Sequence, residues 1–316
     1  MGKQSRARDE RRRIKANSRG LGDRKVDFGV PEDGARYGLW AVSFLDLLGY
    51  SQELIATDVL PPPSKTETLE MFRVLVNRRR SLLTGPKIVL DAIASTHRAD
   101  RTDSPAERKL QELFGKVRVA TTGFSDCVFL ETLLEGVEAA PMKALSDLVV
   151  ATTLQVVNHL AMKSPIRAGI DIAPGLLILD HVHTAAKAKA VALEKCAGYP
   201  RILVGDRFRT YVSEVLDLPN DPSPLGIHRR LGEVLNGLLF TDPLDPPGHP
   251  MGIDFLGPRF KEFAPINSKM VNNIRTFALE SRDKFKKENR PKEQGKYERL
   301  VAYIESRASI WDLDKE

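Results

Sequence analysis

The sequence predicts an α+β fold, and three features of the chain support this class. Two long apolar runs, 39–49 and 166–179, are typical of buried strands. Segments whose apolar residues recur at helical spacing, above all 65–96 and 141–162, alternate with such runs. An apolar content of 42% in 316 residues is ordinary for a soluble globular protein, and no run reaches the roughly 18 apolar residues of a membrane span.

Each element follows from its own local pattern. Near-continuous or alternating apolar residues with β-branched members predict strands, and flanking turn residues set their ends. The predicted strands are 39–49, 116–122, 127–134, 166–179 (with a break at Pro174-Gly175) and 201–205. The predicted helices are 52–58, 65–96 (divided at Gly85-Pro86), 141–162, 183–196 and 206–215. This order is a βαββαβ ferredoxin-like core with an additional strand.

Composition predicts three regions along the chain. Residues 1–25 are a basic, disordered arm, and 26–216 form the core domain. Residues 217–316 are expected to pack on the same domain. Within them, 217–265 is rich in Pro, Gly and Asp and predicts an irregular flap with a small hairpin at 238–241 and 252–256. The helical stretch 266–309 is expected to be interrupted near Pro291 and Gly295.

The net charge of +6 is concentrated in the arm. Residues 1–25 hold ten Lys or Arg against three acids, a net of +7, which leaves 38 basic and 39 acidic residues elsewhere. A basic arm on a neutral body can touch nucleic acid or acidic lipid, but it is equally the composition of a solvated segment. The neutral body argues against nucleic acid as the main partner.

Several kinds of site are excluded or disfavoured by pattern. The chain has no phosphate-binding glycine loop, HExxH or GxSxG motif, and Cys127 and Cys196 belong to no metal pattern. A reduced, cytoplasmic location fits these two cysteines best, with no membrane partner. His181 and His183 share one strand face without a third ligand, which favours a polar strand end over a metal site. Arg78-Arg79-Arg80 is interpreted as a solvated helix face.

The candidate chemistry lies in two acids inside apolar strand sequence. Asp46 and Asp126 are 80 residues apart, and an acid in such a run is costly unless its charge is compensated. Together on neighbouring strands they would bind a hard divalent cation. The alternative is that the two acids are unrelated and that backbone N–H donors satisfy each one separately. Gly49 and Gly123, which lie close to the two acids, are expected to leave room for a bound polyphosphate.

These residues carry a resemblance to the class III nucleotidyl cyclases over about residues 38–208. The segment 44–51 resembles the FxDIxGF motif of that family, and Phe124-Ser125-Asp126 resembles the hairpin with its second metal-binding Asp. Arg167 to Gly175 resembles the RxGIxxG strand, and 193–204 resembles the following helix end and last strand. Within this family, the sequences of the Pycsar antiphage pyrimidine cyclases are the most similar to three segments of this chain, LDLLGYS, FSDCV and LEKCAGYPRILV.

The resemblance implies an activity and a set of ligands. It implies a homodimer that converts UTP or CTP to the 3′,5′-cyclic monophosphate and pyrophosphate, as a second messenger in antiphage defence. Asp46, the Leu47 carbonyl and Asp126 would hold two Mn²⁺ or Mg²⁺ ions. Residues 44–49, including Phe44, Leu48 and Gly49, would line the triphosphate with backbone N–H groups. In the family dimer, each site takes residues from both subunits.

Two departures from the family pattern bear on catalysis and on the base. Ala188 and Ala192 stand where the family has Asn and Arg, so Lys187 and Lys189 are the candidates to neutralise phosphate charge. Thr122 occupies the position of the adenine-reading lysine, and the position of its partner falls near Asp180 or His181. With Tyr50 narrowing the pocket, this set favours a pyrimidine, UTP ahead of CTP. The two alanines also leave open a catalytically inactive nucleotide-binding or interaction module.

Overall fold

A computed structural model describes residues 36–49, 65–99, 117–135, 140–179, 181–218 and 227–313 of the chain. The strands are β1 Arg36–Leu47, β2 Val119–Phe124, β3 Cys127–Leu133, β4 Ile166–Ile178, β5 His181–Thr184, β6 Ile202–Val204, β7 Leu239–Phe240 and β8 Gly252–Ile253. The helices are α1 Lys65–Ala99, α2 Ala140–Ala161, α3 Ala185–Cys196, α4 Asp206–Leu216, α5 Ile227–Gly237, α6 Pro258–Phe263, α7 Ser268–Lys287 and α8 Pro291–Glu305, followed by a 3₁₀ turn at Ala308–Trp311. The basic arm, the helix expected at 52–58 and Tyr50 lie outside the described residues.

The predicted α+β class and βαββαβ order are confirmed. The strands form one mixed sheet in the order β2-β3-β1-β4-β6-β8-β7, and β5 pairs with β4. β1 lies at the centre, antiparallel to both β3 and β4, whereas β6 runs parallel to β4. Because β1 has a neighbour on each side and layers above and below, its side chains from Trp40 to Leu45 are buried, which explains its nearly continuous apolar sequence.

Helices cover both faces of this sheet. On one face the main apolar core joins the strands to α2, α4 and the C-terminal helices α7 and α8. On the other face, α3 packs through Ala186 and Ala190 against Val42 and Phe44 of β1. The small residues matter here: a Cβ at Gly169 of β4 would lie 2.1 Å from the backbone oxygen of Ala190. The alanine-rich sequence of α3 therefore permits a close approach of helix to sheet.

Two predicted helix boundaries were wrong. α1 runs through Gly85-Pro86 without a break. Pro86 is buried, and a Cβ at Gly85 would collide with the side chain of Gln155, so packing against α2 outweighs the proline's lost hydrogen bond. The helix expected from residue 183 begins at Ala185 instead. Thr184 caps it by accepting a hydrogen bond from the Ala186 N–H at 3.2 Å, which leaves His181 and His183 in β5.

The part of 217–265 expected to be an irregular flap contains the helices α5 and α6, so its composition misled the prediction. The small hairpin is present, with β7 and β8 antiparallel. α7 and α8 are separated just before Pro291, as predicted, but α8 continues through Gly295. No helix among the described residues combines the length and apolar character needed to cross a bilayer.

Candidate active site

The sheet brings Asp46 and Asp126 together. In the β1–β3 register, Asp46 lies opposite Cys127, directly after Asp126, and the Leu47 N–H donates to the Asp126 carbonyl at 3.1 Å. The hairpin turns sharply there because Ser125 adopts a left-handed conformation with φ of 52°. Asp46 lies at the end of β1 and Asp126 in the turn of the adjacent hairpin, so two acids distant in sequence meet at one end of the sheet.

The charge of Asp46 is disfavoured in this setting. Burial raises the pKa of Asp46 to about 7, and the negative charges of Glu194 and Asp126 act in the same direction. Burial also raises the pKa of Glu194. Arg167, opposite Asp46 in β4, opposes both shifts: its Nη2 lies 3.7 Å from the Asp46 carboxylate and closer still to Glu194. Asp46 and Glu194 thus share one guanidinium, and a bound cation would relieve the repulsion that Asp126 exerts on Asp46.

This donor set fits a metal that is completed by its substrate. Among the described residues, no group of three or more His, Cys, Asp or Glu side chains is arranged to hold an ion by itself. Mg²⁺, however, is usually held in phosphoryl-transfer sites by one or two carboxylates together with substrate phosphates and water. Asp46 and Asp126 meet that requirement. Leu47, whose carbonyl is the expected third protein ligand, directly follows Asp46 at the end of β1.

A cleft of about 860 Å³ opens in front of the two aspartates. One side is formed by the ends of β1 and of the β2–β3 hairpin, and the other by α7 and α8. Its lining contains six basic and three acidic side chains, a net formal charge of +3: Arg78, Lys163, Arg167, Lys284, Arg290 and Lys296 against Asp46, Asp126 and Glu293. A cleft of this charge beside a pair of carboxylates suits a metal-bound polyanion.

The backbone around Asp46 is only partly available for phosphate. The N–H groups of Leu47 and Leu48 already donate to the carbonyls of Asp126 and Pro165, at 3.1 and 2.9 Å. The phosphate contacts expected from these two donors are therefore absent in this geometry. Gly49 has a φ of +82°, a conformation that favours glycine, and lines the cleft. Gly123 instead makes room for Leu83 of α1, because a Cβ at this position would lie 2.1 Å from the Leu83 side chain.

Other predicted site residues gather in a second cluster on the sheet face that α3 covers. Lys187 Nζ lies 2.6 Å from Glu131, an acid that is 2% exposed, and Thr122 Oγ1 donates to the same carboxylate at 3.3 Å. Phe44 contacts Phe129, with ring centroids 4.8 Å apart and ring planes tilted by 45°. We call these five residues the Glu131 cluster. None of them lines the cleft, so the structure separates them from the two aspartates of the same chain.

Two further predicted residues, Lys189 and His181, do not line the cleft. Lys189 Nζ is 3.7 Å from Asp171, which is 4% exposed, and this lysine therefore neutralises a buried acid. His181 is exposed on β5. The catalytic and substrate-binding roles of Lys187, Lys189, Thr122, His181 and Tyr50 stay predictions.

Sequence analysis missed the cations that face the aspartates. Lys284 and Lys296 lie in helices with many charged residues and Arg290 lies between these helices, so no local pattern distinguishes them from their solvated neighbours. Arg78 also lines the cleft, and Arg79 donates to the Ser125 carbonyl at 2.7 Å beside Asp126. The interpretation of this arginine run as a solvated face holds for Arg79 and Arg80, which are exposed, but Arg78 is only partly exposed and lines the cleft.

Comparisons with known proteins give remote likenesses only. No family model and no curated protein matches the sequence. Among solved structures, the chain is similar to the adenylyl cyclase CyaB from P. aeruginosa, with 12% identity and a TM-score of 0.38 over 69% of this chain and 93% of that one. It is also similar to the catalytic core of a rhodopsin-guanylyl cyclase with converted specificity in complex with ATPαS (14% identity, TM-score 0.32, 56% of this chain, 83% of that one). A bacterial light-regulated adenylyl cyclase has 12% identity and a TM-score of 0.30 over 66% of this chain and 57% of that one. At these values the likenesses carry no argument about activity.

Proposed function

We propose that this protein is a nucleotidyl cyclase that converts a nucleoside triphosphate to its 3′,5′-cyclic monophosphate and pyrophosphate. The observation that carries the proposal is the meeting of Asp46 and Asp126, with the pKa of Asp46 raised to about 7, at the edge of a cleft of net positive charge. The ribose 3′-oxygen bonds to the α-phosphorus, the bond from that phosphorus to the oxygen bridging to the β-phosphate breaks and pyrophosphate leaves, and the 3′-hydroxyl proton passes to solvent. Two Mn²⁺ or Mg²⁺ ions would activate the attacking oxygen and stabilise the leaving one.

The chain's own residues position these groups. Asp46 and Asp126 hold the cations, and the Leu47 N–H fixes the hairpin that carries Asp126. Arg167 limits the repulsion between Asp46 and Glu194 before metal arrives, because it contacts both carboxylates. Removal of Arg167 would leave the carboxylates of Asp46 and Glu194 without a compensating charge in a half-buried site, which lowers the stability of the fold.

The proposal extends to a pyrimidine substrate, UTP ahead of CTP, and to a second messenger in antiphage defence. Its support is the sequence resemblance to pyrimidine cyclases together with Thr122 and Tyr50 at positions that contact the base in that resemblance. A pocket that hydrogen-bonds one base edge rejects others because its own polar groups are left unpaired.

We further propose that the active form is a homodimer. The Glu131 cluster contains Thr122, Lys187 and Phe44 but lies outside the cleft that holds the two aspartates. A second copy would allow the cluster of one subunit to meet the aspartates of the other, as the resemblance implies.

A second candidate function is an inactive module that binds a nucleotide without turning it over. Ala188 and Ala192 favour it: both are exposed on α3 and bring no donor to a substrate. In this alternative, metal and triphosphate bind but no cyclic product forms.

Incubation of the purified protein with each nucleoside triphosphate and Mn²⁺, with products identified by mass spectrometry, tests the activity. Asp46→Asn and Asp126→Asn should each lower the rate by about 100-fold or more, since each removes an anionic ligand at the reacting centre. The matched control is Asp206→Asn, an exposed acid on α4 that pairs with Arg209. Undiminished product formation by either site variant would overturn the metal assignment.

Competition among the four triphosphates at equal concentration tests the substrate. Cyclic UMP or cyclic CMP as the main product supports the pyrimidine proposal. Cyclic AMP or cyclic GMP as the main product contradicts it while leaving the cyclase proposal intact, and no cyclic product with any of them favours the inactive module.

A further inference from the structure

We propose that the triphosphate of the substrate is bound by Lys284 and Lys296, on the two C-terminal helices of the same chain that holds the aspartates. This inference rests on the proposed function, and it assigns a binding role to α7 and α8. The sequence resemblance ends near residue 208, so it assigns nothing to these helices.

The first argument is position. α7 contributes Lys284, and α8 contributes Lys296, to the side of the cleft that faces Asp46 and Asp126. Arg290, in the connection between the helices, lines the same side. We call these three residues the cationic face. A triphosphate whose metal is held by the two aspartates would occupy the cleft that this face also lines.

The second argument is the charge that remains for a ligand. Arg290 is already neutralised, because its guanidinium lies 3.0 Å from Glu293 and 3.5 Å from Glu288. Lys284 has only a long contact, 3.9 Å, with Glu288. Among the described residues, no carboxylate lies within ion-pair distance of Lys296. Its ammonium group therefore faces the cleft with only the through-space attraction of Glu293.

The surroundings of Lys296 disfavour its positive charge despite the presence of Glu293. Burial lowers the pKa of Lys296, and the positive charge of Arg167 across the cleft acts in the same direction. A phosphate between these two cations would reverse that effect, because opposite charge favours the protonated amine. Lysine is a common phosphate ligand and acts as a point charge, which tolerates movement of the phosphates during reaction.

The third argument is that the cationic face is a fixed structure. Phe285, next to Lys284, stacks on Tyr297, next to Lys296, with centroids 5.5 Å apart and planes at 24°. Tyr297 also makes an edge contact with Phe277 at 5.8 Å. One turn further along α8, Arg299 Nη2 donates to Asp242 at 2.8 Å. The two lysines are thus held on a packed helix pair.

The fourth argument concerns the residues that would otherwise supply positive charge. Lys187 and Lys189 are paired with the buried acids Glu131 and Asp171. Within the chain that holds the aspartates, neither lines the cleft. Cations that the same chain supplies to the phosphates must then be other residues, and the cationic face lies in the right place to provide them in cis.

The experiment compares lysines on the same two helices in the full-length protein. Lys284→Met and Lys296→Met remove a cation from the cleft and keep the aliphatic stem. Lys287→Met and Lys292→Met are the matched controls, because both lysines are exposed and neither lines the cleft. The probe is inorganic tripolyphosphate with Mg²⁺, titrated by calorimetry, and cyclic-product formation is measured separately.

We expect Lys284→Met and Lys296→Met each to weaken tripolyphosphate binding about 10-fold, and both together by more, while the two controls bind as the parent protein does. Unchanged binding in the double variant would overturn the inference. If the parent protein forms cyclic product but the double variant still binds tripolyphosphate normally, the cyclase proposal stands and the proposed role of the two lysines is wrong. If the double variant loses binding but the parent protein forms no cyclic product, the role of the lysines in polyphosphate binding stands and the cyclase proposal is wrong.

Discussion

At the scale of single residues, the site is defined by one acid that resists ionisation. Asp46 has a pKa raised to about 7, first by burial and then by Glu194 and Asp126. The folded protein therefore keeps this proton in a range where the unfolded chain, with a value near 3.8, has released it. In metal-free buffer the contribution of Asp46 to the free energy of unfolding therefore falls as the pH rises from about 3.8 to about 7, and it is smallest above pH 7.

The first prediction couples that proton to metal. We expect Mn²⁺ to raise the melting temperature more at pH 8 than at pH 6, because the ion must displace the Asp46 proton at the lower pH. Asp46→Asn should abolish this pH-dependent increase, whereas Asp206→Asn should retain it. Differential scanning fluorimetry with and without Mn²⁺ at four pH values measures both. An equal Mn²⁺ effect in Asp46→Asn would assign the metal to other ligands.

The second prediction concerns His159, which is fully buried in α2. Burial lowers its pKa to about 4, and the charge of Arg78 acts in the same direction. In the unfolded chain, by contrast, the imidazole binds a proton near pH 6.5. The folded state is therefore at its most stable, with respect to this residue, above pH 6.5, and it loses that stability as the pH falls toward 4. The loss amounts to about 3 kcal/mol at most.

Urea unfolding at pH 7 and pH 4.5 tests this. His159→Leu should lose less stability between the two values than the parent protein, because it has no proton to bind. The exposed His183, changed to Leu, is the control and should lose as much as the parent. If His159→Leu and the parent have the same acid dependence, the acid sensitivity of the fold has another source.

At the scale of elements, local sequence predicted what local forces decide. β1 and β4 are continuous apolar strands because they lie centrally in the sheet, and their patterns show it. Pro86 was misjudged because the cost of its missing N–H is local whereas its compensation, burial against α2, depends on residues 60 to 70 positions later. α5 was missed for a similar reason: its amphipathic face is short and follows a segment rich in Pro and Asp.

The residues of the candidate site likewise fall into those that local sequence reveals and those that only the packing of the helices reveals. Asp46 and Asp126 were predictable because an acid in an apolar strand violates a local rule, and such a violation needs a reason. Lys296 violates no rule, since a lysine on a charged helix is ordinary. Only the packing of α8 across the cleft distinguishes it from Lys292.

The third prediction tests what holds α8 in place. Asp254 accepts hydrogen bonds from Arg307 Nε and Nη2, at 3.0 and 2.9 Å, and from the Tyr303 hydroxyl at 2.8 Å. Asp254→Ala leaves a largely buried guanidinium without its acid, which costs about 3–5 kcal/mol. Denaturant unfolding followed by intrinsic fluorescence measures the change. Glu262→Ala, which removes an exposed ion pair with Arg259, should barely move the midpoint. Equal effects of both changes would mean that the Asp254 pairs do not secure the helix.

At the scale of the whole molecule, the charge of the chain is unevenly distributed. The arm at 1–25 carries +7, and the rest carries −1. The cleft nevertheless has a net charge of +3, so its positive character comes from the arrangement of the folded chain and not from its overall composition.

The fourth prediction follows from that separation. Deletion of residues 1–22 should leave the rate of product formation and the oligomeric state unchanged, because a sequence of this composition adds no apolar core. Turnover and analytical ultracentrifugation of the truncated and full-length proteins provide the comparison. Loss of either property on truncation would make the arm part of the site or of the subunit interface.

The position of α8 in the chain has a consequence for biosynthesis. Asp126 precedes Lys296 by 170 residues. At about 5–20 residues per second, a ribosome needs roughly 10–30 s to cover that distance. During this interval the nascent chain contains Asp46 and Asp126, the two acids proposed to bind metal, but not Lys296. A polypeptide that stops before α8 also lacks Leu300, Tyr303 and Ile304 of the main core, so we expect it to bind neither Mn²⁺ nor triphosphate and to form no cyclic product.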